Sequence, residues 1–147
     1  MTETTLKRTA IAAILFSALP QLGQPIEGGT LQGVITSKDG THHAVVLLDA
    51  KPDGCMAWKD AKAWAEGVDG QLPTRPVAAL LYANAKSLFQ ATWYWTGDEL
   101  QADTGDKSDA SYAWDCHFLN GHQGGSHKSA EGAAVAVRLI PLNPLTL

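Results

Sequence analysis

Few residues in this sequence are charged, and cysteine is nearly absent. The 147 residues include two cysteines, Cys55 and Cys116, and neither belongs to a Cys-x-x-Cys pair. A disulfide-dense scaffold is therefore excluded, and no zinc ribbon or dithiol redox motif is written here. Charged residues make up 18%, with 15 Asp and Glu outnumbering 11 Lys and Arg, for a formal net charge of −4. A nucleic-acid binder needs a basic stripe to displace phosphate counter-ions, and this balance argues against one. The longest apolar stretch, Ala10–Leu19, falls well short of the ~20 residues that cross a bilayer as a helix. Phe and Tyr are scarce at three each, yet there are five Trp and 14 Gly. Glycines imply turns, and tryptophans imply rigid anchors in a core or at a contact surface. A hydrophobic content of 45% excludes wholesale disorder, and the length fits one domain.

Lys7-Arg8 ahead of Ala10–Leu19 has the charge order of a secretory signal, but Glu3 sits in the basic region and no small-residue cleavage site follows. The expectation is a retained apolar helix from about Thr5 to Leu19, ended by Pro20 and buried against its own domain or sister subunits. Residues 1–22 then form an oligomerisation or docking segment, and residues 23–147 the domain. In the alternative, the segment is cleaved and the mature chain begins after about residue 20.

Leu31–Ser37 and His42–Asp49 are β-branched and aliphatic runs joined by Lys38-Asp39-Gly40-Thr41, a strong hairpin signal. Trp58, Ala61, Trp64 and Ala65 share one helical face, with Gly67 as the stop. Thr74 is placed to cap a second helix, Pro76 to about Phe89. Ala91–Trp95 reads as a strand, 98–110 as a polar acidic loop, Tyr112–Leu119 as a strand and Asn120–Gly132 as a second polar loop. Ala133–Ile140 closes the fold as a strand stopped by Pro141. Two helices followed by a strand-rich half with long loops indicate an α+β protein.

Certain of these residues recur together in one family. They are Trp58-x-x-Ala61-x-x-Trp64-Ala65, Gly70-x-Leu72-Pro73-Thr74-Arg75, Trp93-Tyr94-Trp95-Thr96, Ala113-Trp114, Phe118-x-Asn120-Gly121 and Val137-Arg138-Leu139-Ile140. In combination they resemble the Lcl-type C-terminal domain family of bacterial adhesins and phage genomes, and its phage-encoded branch in particular. The resemblance spans roughly residues 28–142. It implies a C-type lectin-like fold: two helices packed on a twisted, mainly antiparallel sheet with long loops, preceded here by the N-terminal helix. Trp58, Trp64, Leu72, Pro73, Arg75, Trp93, Trp95 and Arg138 would be its structural residues. The resemblance further implies binding rather than catalysis, in a virion-associated protein that binds a receptor at the tail or decorates the head. Partners would be sister subunits, other virion proteins and a host surface receptor or glycan. A secreted bacterial lectin-like adhesin and a purely structural capsid or tail component are the alternatives.

Sugar-binding lectins of this fold hold calcium, and Asp98, Glu99, Asp103, Asp106 and Asp109 offer oxygen ligands suited to a hard cation. The chain lacks the Glu-Pro-Asn or Gln-Pro-Asp tripeptide of those lectins, so a solvated acidic loop is the favoured reading and no cofactor is expected. His117, His122 and His127 lack the spacing of a zinc site. Cys55 and Cys116 are expected as two buried thiols, and no nucleophile, base and orienting acid are selected by spacing. The candidate contact surface is Tyr94, Tyr112, Trp114, Asn120, His122, Gln123, Ser126 and His127, whose rings supply area and whose amides and hydroxyls supply hydrogen bonds. Strand alternation assigns Trp93 and Trp95 to the core and turns Tyr94 the other way. Trp114 stands between a core role and a contact role.

Overall fold

In the computed structural model, residues 12–143 are described. Among these residues, eight strands and three helices alternate with short 3-10 turns, an α+β architecture with two sheets. β3 (Gly29–Thr36) and β4 (His42–Leu48) form the expected hairpin. Its turn is closed by Gly40 at φ +88° and by Asp39, whose Oδ1 accepts from the Thr41 N–H at 2.9 Å. β4 lies between β3 and β8 (Val137–Asn143). β1 (Ile14–Leu15) and β2 (Pro25–Ile26) complete the sheet in the order β1-β8-β4-β3-β2.

Both faces of this sheet are buried, which explains why β4 reads as a continuous apolar run. Ala44, Val46 and Leu48 face one core, where α1 (Trp58–Gly67) contributes Trp58, Ala61 and Ala65. Val45 and Leu47 face a second core, where α2 (Arg75–Ala85) contributes Val77, Ala78 and Leu81. Thr74 caps α2 by accepting from the Val77 N–H at 3.3 Å, and Pro76 sits in its first turn. Leu72 and Pro73 are buried between the helices, and the Pro73 carbonyl accepts from the Gly97 N–H at 2.9 Å.

The second sheet comprises β5 (Trp93–Glu99), β6 (Tyr112–His117) and β7 (Gln123–His127), all antiparallel. It continues both cores: Trp95 and Ala113 join the first, Tyr94, Cys116 and Phe118 the second. The segment 133–136 stitches the sheets together, since Ala133 exchanges backbone hydrogen bonds with Trp93 and Trp95 before the chain enters β8. Trp58 and Trp95 anchor the junction, their indole N–H groups donating to the Thr96 and Met56 carbonyls at 2.8 and 2.9 Å. Arg138 fixes the opposite margin through the Asp69 and Glu27 carbonyls.

Several expectations are corrected. The helix expected from about Thr5 to Leu19 lies outside the described residues for 1–11. Beyond them, Ile14–Leu15 is a strand paired in parallel with Leu142–Asn143, and Phe16–Ala18 is a single 3-10 turn. Pro141 does not stop the last strand, because β1 meets β8 only from Leu142 onward and a proline is tolerated where one side of a strand is unpaired. The acidic loop contains α3 (Leu100–Thr104), closed by Gly105 at φ +72°, and a 3-10 turn at Lys107–Asp109. The second polar loop contains β7. No disulfide forms: Cys116 is buried, and Cys55 is exposed rather than buried. Among the described residues no helix is long and apolar enough to cross a membrane.

Candidate binding face

Register divides the second sheet into two faces. Tyr94, Cys116 and Gln123 lie in line on the α2 side, with Trp114 and Tyr112 following on β6. Trp95, Asp115 and Gly124 lie in line on the other side, with Trp93 and His117 beyond them. The eight candidate contact residues therefore do not form one surface.

On the α2 side, Arg75 organises everything near it. Its guanidinium carbon stands 3.5 Å from the Trp114 ring centre, a stacking geometry that a planar cation favours. Its Nε donates to Gln123 Oε1 at 2.8 Å, while Gln123 Nε2 donates back to the Arg75 carbonyl at 2.9 Å. An ion pair with Asp103 at 3.2 Å and the acceptance of the Arg75 N–H by Asp98 at 2.8 Å complete the clamp. Gln123 and Trp114 are thus occupied in holding α2, α3 and β7 together. Arg75 thus ties the start of α2 to α3, β6 and β7. Tyr94 is a correction: it is only 8% exposed, packs edge-on to Phe89 and Phe118, and its hydroxyl accepts from the Gln90 N–H. At the far end of this face, Tyr112 and His127 meet edge-on at 5.3 Å and remain exposed.

On the other side, Trp93 is 37% exposed whereas Trp95 is 1% exposed. Alternation correctly places the pair on one face, but the core ends at Trp95, and that corrects the core assignment of Trp93. His117 and His122 lie edge-on to Trp93 at 4.8 and 5.9 Å. His122 rests above Gly124, where an added Cβ would lie 3.5 Å from its Nε2. The turn that delivers it is built locally: Asn120 Oδ1 accepts from the His122 N–H, and Gly121 at φ +79° packs on the Tyr82 ring. His117 Nδ1 accepts from the Leu119 N–H, so the neutral ring carries its proton on the outer Nε2. Trp93, His117 and His122 make an aromatic patch beside this turn, on which Leu119 is also exposed.

Beneath the patch, Asp115 is 4% exposed. Ser126 donates to its Oδ2 at 2.5 Å, and its Oδ1 has no partner. Burial raises its pKa above the ordinary carboxylate value, with the Ser126 hydrogen bond opposing. Ser126 is therefore an internal strut rather than a contact residue. Burial also raises the Cys116 thiol, which removes thiolate character.

The acidic residues considered for calcium are each engaged: Glu99 with Lys128 at 2.5 Å, Asp106 with the Ser108 N–H, and Asp109 with the Thr104 hydroxyl. Among the described residues, no three His, Cys, Asp or Glu side chains converge as metal ligands would. A separate cleft of about 250 Å³ lies between α1 and the β5 irregularity, bordered by Lys62, Glu66, Gln71, Thr74 and Asp98.

Tyr112, Asn120, His122 and His127 are the candidates that remain exposed. The residues that sequence reasoning missed are Trp93, His117 and Leu119. Compared with known proteins, the chain matches no protein-family model and no curated protein.

Proposed function

We propose that this chain is a virion-associated binding protein of a bacteriophage, using a C-type lectin-like scaffold to present a contact surface to a receptor or a neighbouring particle protein. The observation that carries the reading is Trp93: a large ring left 37% exposed, flanked by two imidazoles on a turn held rigid by its own hydrogen bonds. Buried-core aromatics do not need such a setting, whereas exposed aromatics with adaptable polar neighbours are typical of interaction hot spots. Two helices on opposite sides of a mainly antiparallel sheet, with a smaller loop-bearing sheet beside it, support the lectin-like assignment.

The first and last described strands lie side by side, with Ile14 opposite Leu142 and Leu15 opposite Asn143. Ile14 and Leu19 also pack on the first core. Cleavage after about residue 20 would remove these contacts, which favours the virion reading over the secreted adhesin. Immunogold labelling of purified particles tests the assignment, and gold at the tail tip or head surface is the expected result. Particles free of the protein, with the chain found instead on bacterial cell surfaces, would overturn it in favour of the adhesin. Burial of the Trp93 patch against another particle protein would replace receptor binding with a structural role.

A further inference from the structure

The edge strands of the five-stranded sheet are blunted. β1 and β2 are two residues long, and short strands are one way proteins protect an edge. Where β3 runs beyond β2, its Leu31 N–H and carbonyl pair with Gln24 and Gly23, and its Gln32 carbonyl accepts from Asn84 Nδ2 at 2.7 Å. β7 has no such protection. Its sequence, Gln123-Gly-Gly-Ser-His127, contains no proline and no charge, and its pairing with β6 is regular throughout.

The direction of its backbone groups follows from the flanking bonds. Lys128 N–H donates to the Ser111 carbonyl, and His117 N–H to the His122 carbonyl. Antiparallel pairing alternates bonded and non-bonded pairs, so Ser126 and Gly124 point their N–H and carbonyl groups at β6. Gln123, Gly125 and His127 then point theirs outward. Of these outward groups only the His127 carbonyl has a partner among the described residues, the Ala130 N–H.

We infer that β7 is a self-association edge whose occupant is the β7 of a second copy, paired antiparallel about a two-fold axis through Gly125. That axis brings Gly125 opposite its own copy and Gln123 opposite the partner copy's residue 127. The outward groups thereby become the bonded pairs of a continuous six-stranded sheet. Charge permits it: no formal charge lies within either strand, so a chain of net charge −4 meets its copy at a neutral seam. Shape permits it too. Gly124, Gly125 and Ser126 are small, and Leu100 lies over Gly125, so the axis brings the two Leu100 side chains to one side of the seam. A five-residue seam buries less than the ~1,200–2,000 Å² of a stable interface, so the dimer is concentration-dependent and reinforced where copies are held together on a larger assembly.

Sedimentation equilibrium of the full chain across a concentration series tests this. Dimer is expected to grow with concentration, and Gly125→Pro, which removes the central outward N–H, is expected to abolish that growth while circular dichroism stays unchanged. In a second test, Gly125→Cys is made with Cys55 and Cys116 changed to Ser. The two-fold axis places the paired Cα atoms about 5.5 Å apart, within disulfide range, so air oxidation should give a covalent dimer. A wild-type chain that stays monomeric, a dimer that survives Gly125→Pro, or a Gly125→Cys variant that resists cross-linking while folded would each overturn the inference.

Discussion

The five-stranded sheet is apolar on both faces and ends in edge strands two residues long. The three-stranded sheet beside it shares the same two cores but ends in polar turns, an exposed tryptophan, a buried carboxylate and an unprotected edge. Neighbouring residues of β5 show the contrast most sharply: Trp95 seals the junction between the sheets, and Trp93, two positions earlier on the same face, stands out from it. The lesson is a division of labour within one domain. Stability resides where strands are covered on both sides, and the capacity for contact resides where the cores run out.

The largest expected effect comes from breaking the sealed side. Trp95→Ala removes a fully buried indole and its hydrogen bond to Met56, and is expected to cost about 3–5 kcal/mol in urea unfolding. Trp93→Ala, by contrast, should stay within about 1 kcal/mol of wild type. Similar losses at both positions would erase the distinction.

Arg75 links the regions, so Arg75→Ala should fall between these extremes. Its ion pair with Asp103 is largely exposed and contributes little, but the Trp114 stacking and the paired Gln123 bonds are partly shielded. A loss of about 1–2 kcal/mol is expected by the same unfolding measurement. Arg75→Lys should recover little of it, since an ammonium lacks the planar fork.

Asp115 gives a pH signature confined to the smaller sheet. Its folded pKa lies above its ordinary value, so the folded state holds the proton more tightly than the unfolded chain. Stability from this group is full below the unfolded value and declines as pH rises through the folded one. Relative to Asp115→Asn, the wild type should therefore be favoured more at about pH 3 than at about pH 7. Denaturant midpoints of the two proteins at both pH values check this, and a difference that grows toward neutral pH would contradict it.

Much of this architecture was legible because local chemistry and tertiary setting agreed. Lys38-Asp39-Gly40-Thr41 specifies its hairpin in four residues, and Thr74 with Pro76 specifies the start of α2. The resemblance marks Arg75 as a structural residue, but its partners on three distant segments leave no local signal. Alternation turns Tyr94 away from Trp95 as expected, but that side is a second core rather than a contact surface, a circumstance that one strand's sequence does not reveal. β7 escaped notice because Gln-Gly-Gly-Ser-His has weak strand preference, and its conformation comes from pairing with β6. Of the missed elements, α3 left a usable signal in Gly105, whose left-handed conformation ends it. The exposed patch was half visible: the turn and His122 were marked, while Trp93 was assigned to a core that stops one pair of residues short of it.

Native-state hydrogen exchange, resolved by residue and run on dilute protein, tests the contrast between the two sheets most directly. The amides of Val45, Val46 and Ile140 should exchange only through global unfolding, and those of Gln123 and Gly125 faster by orders of magnitude. Equal protection across both sheets would contradict the account.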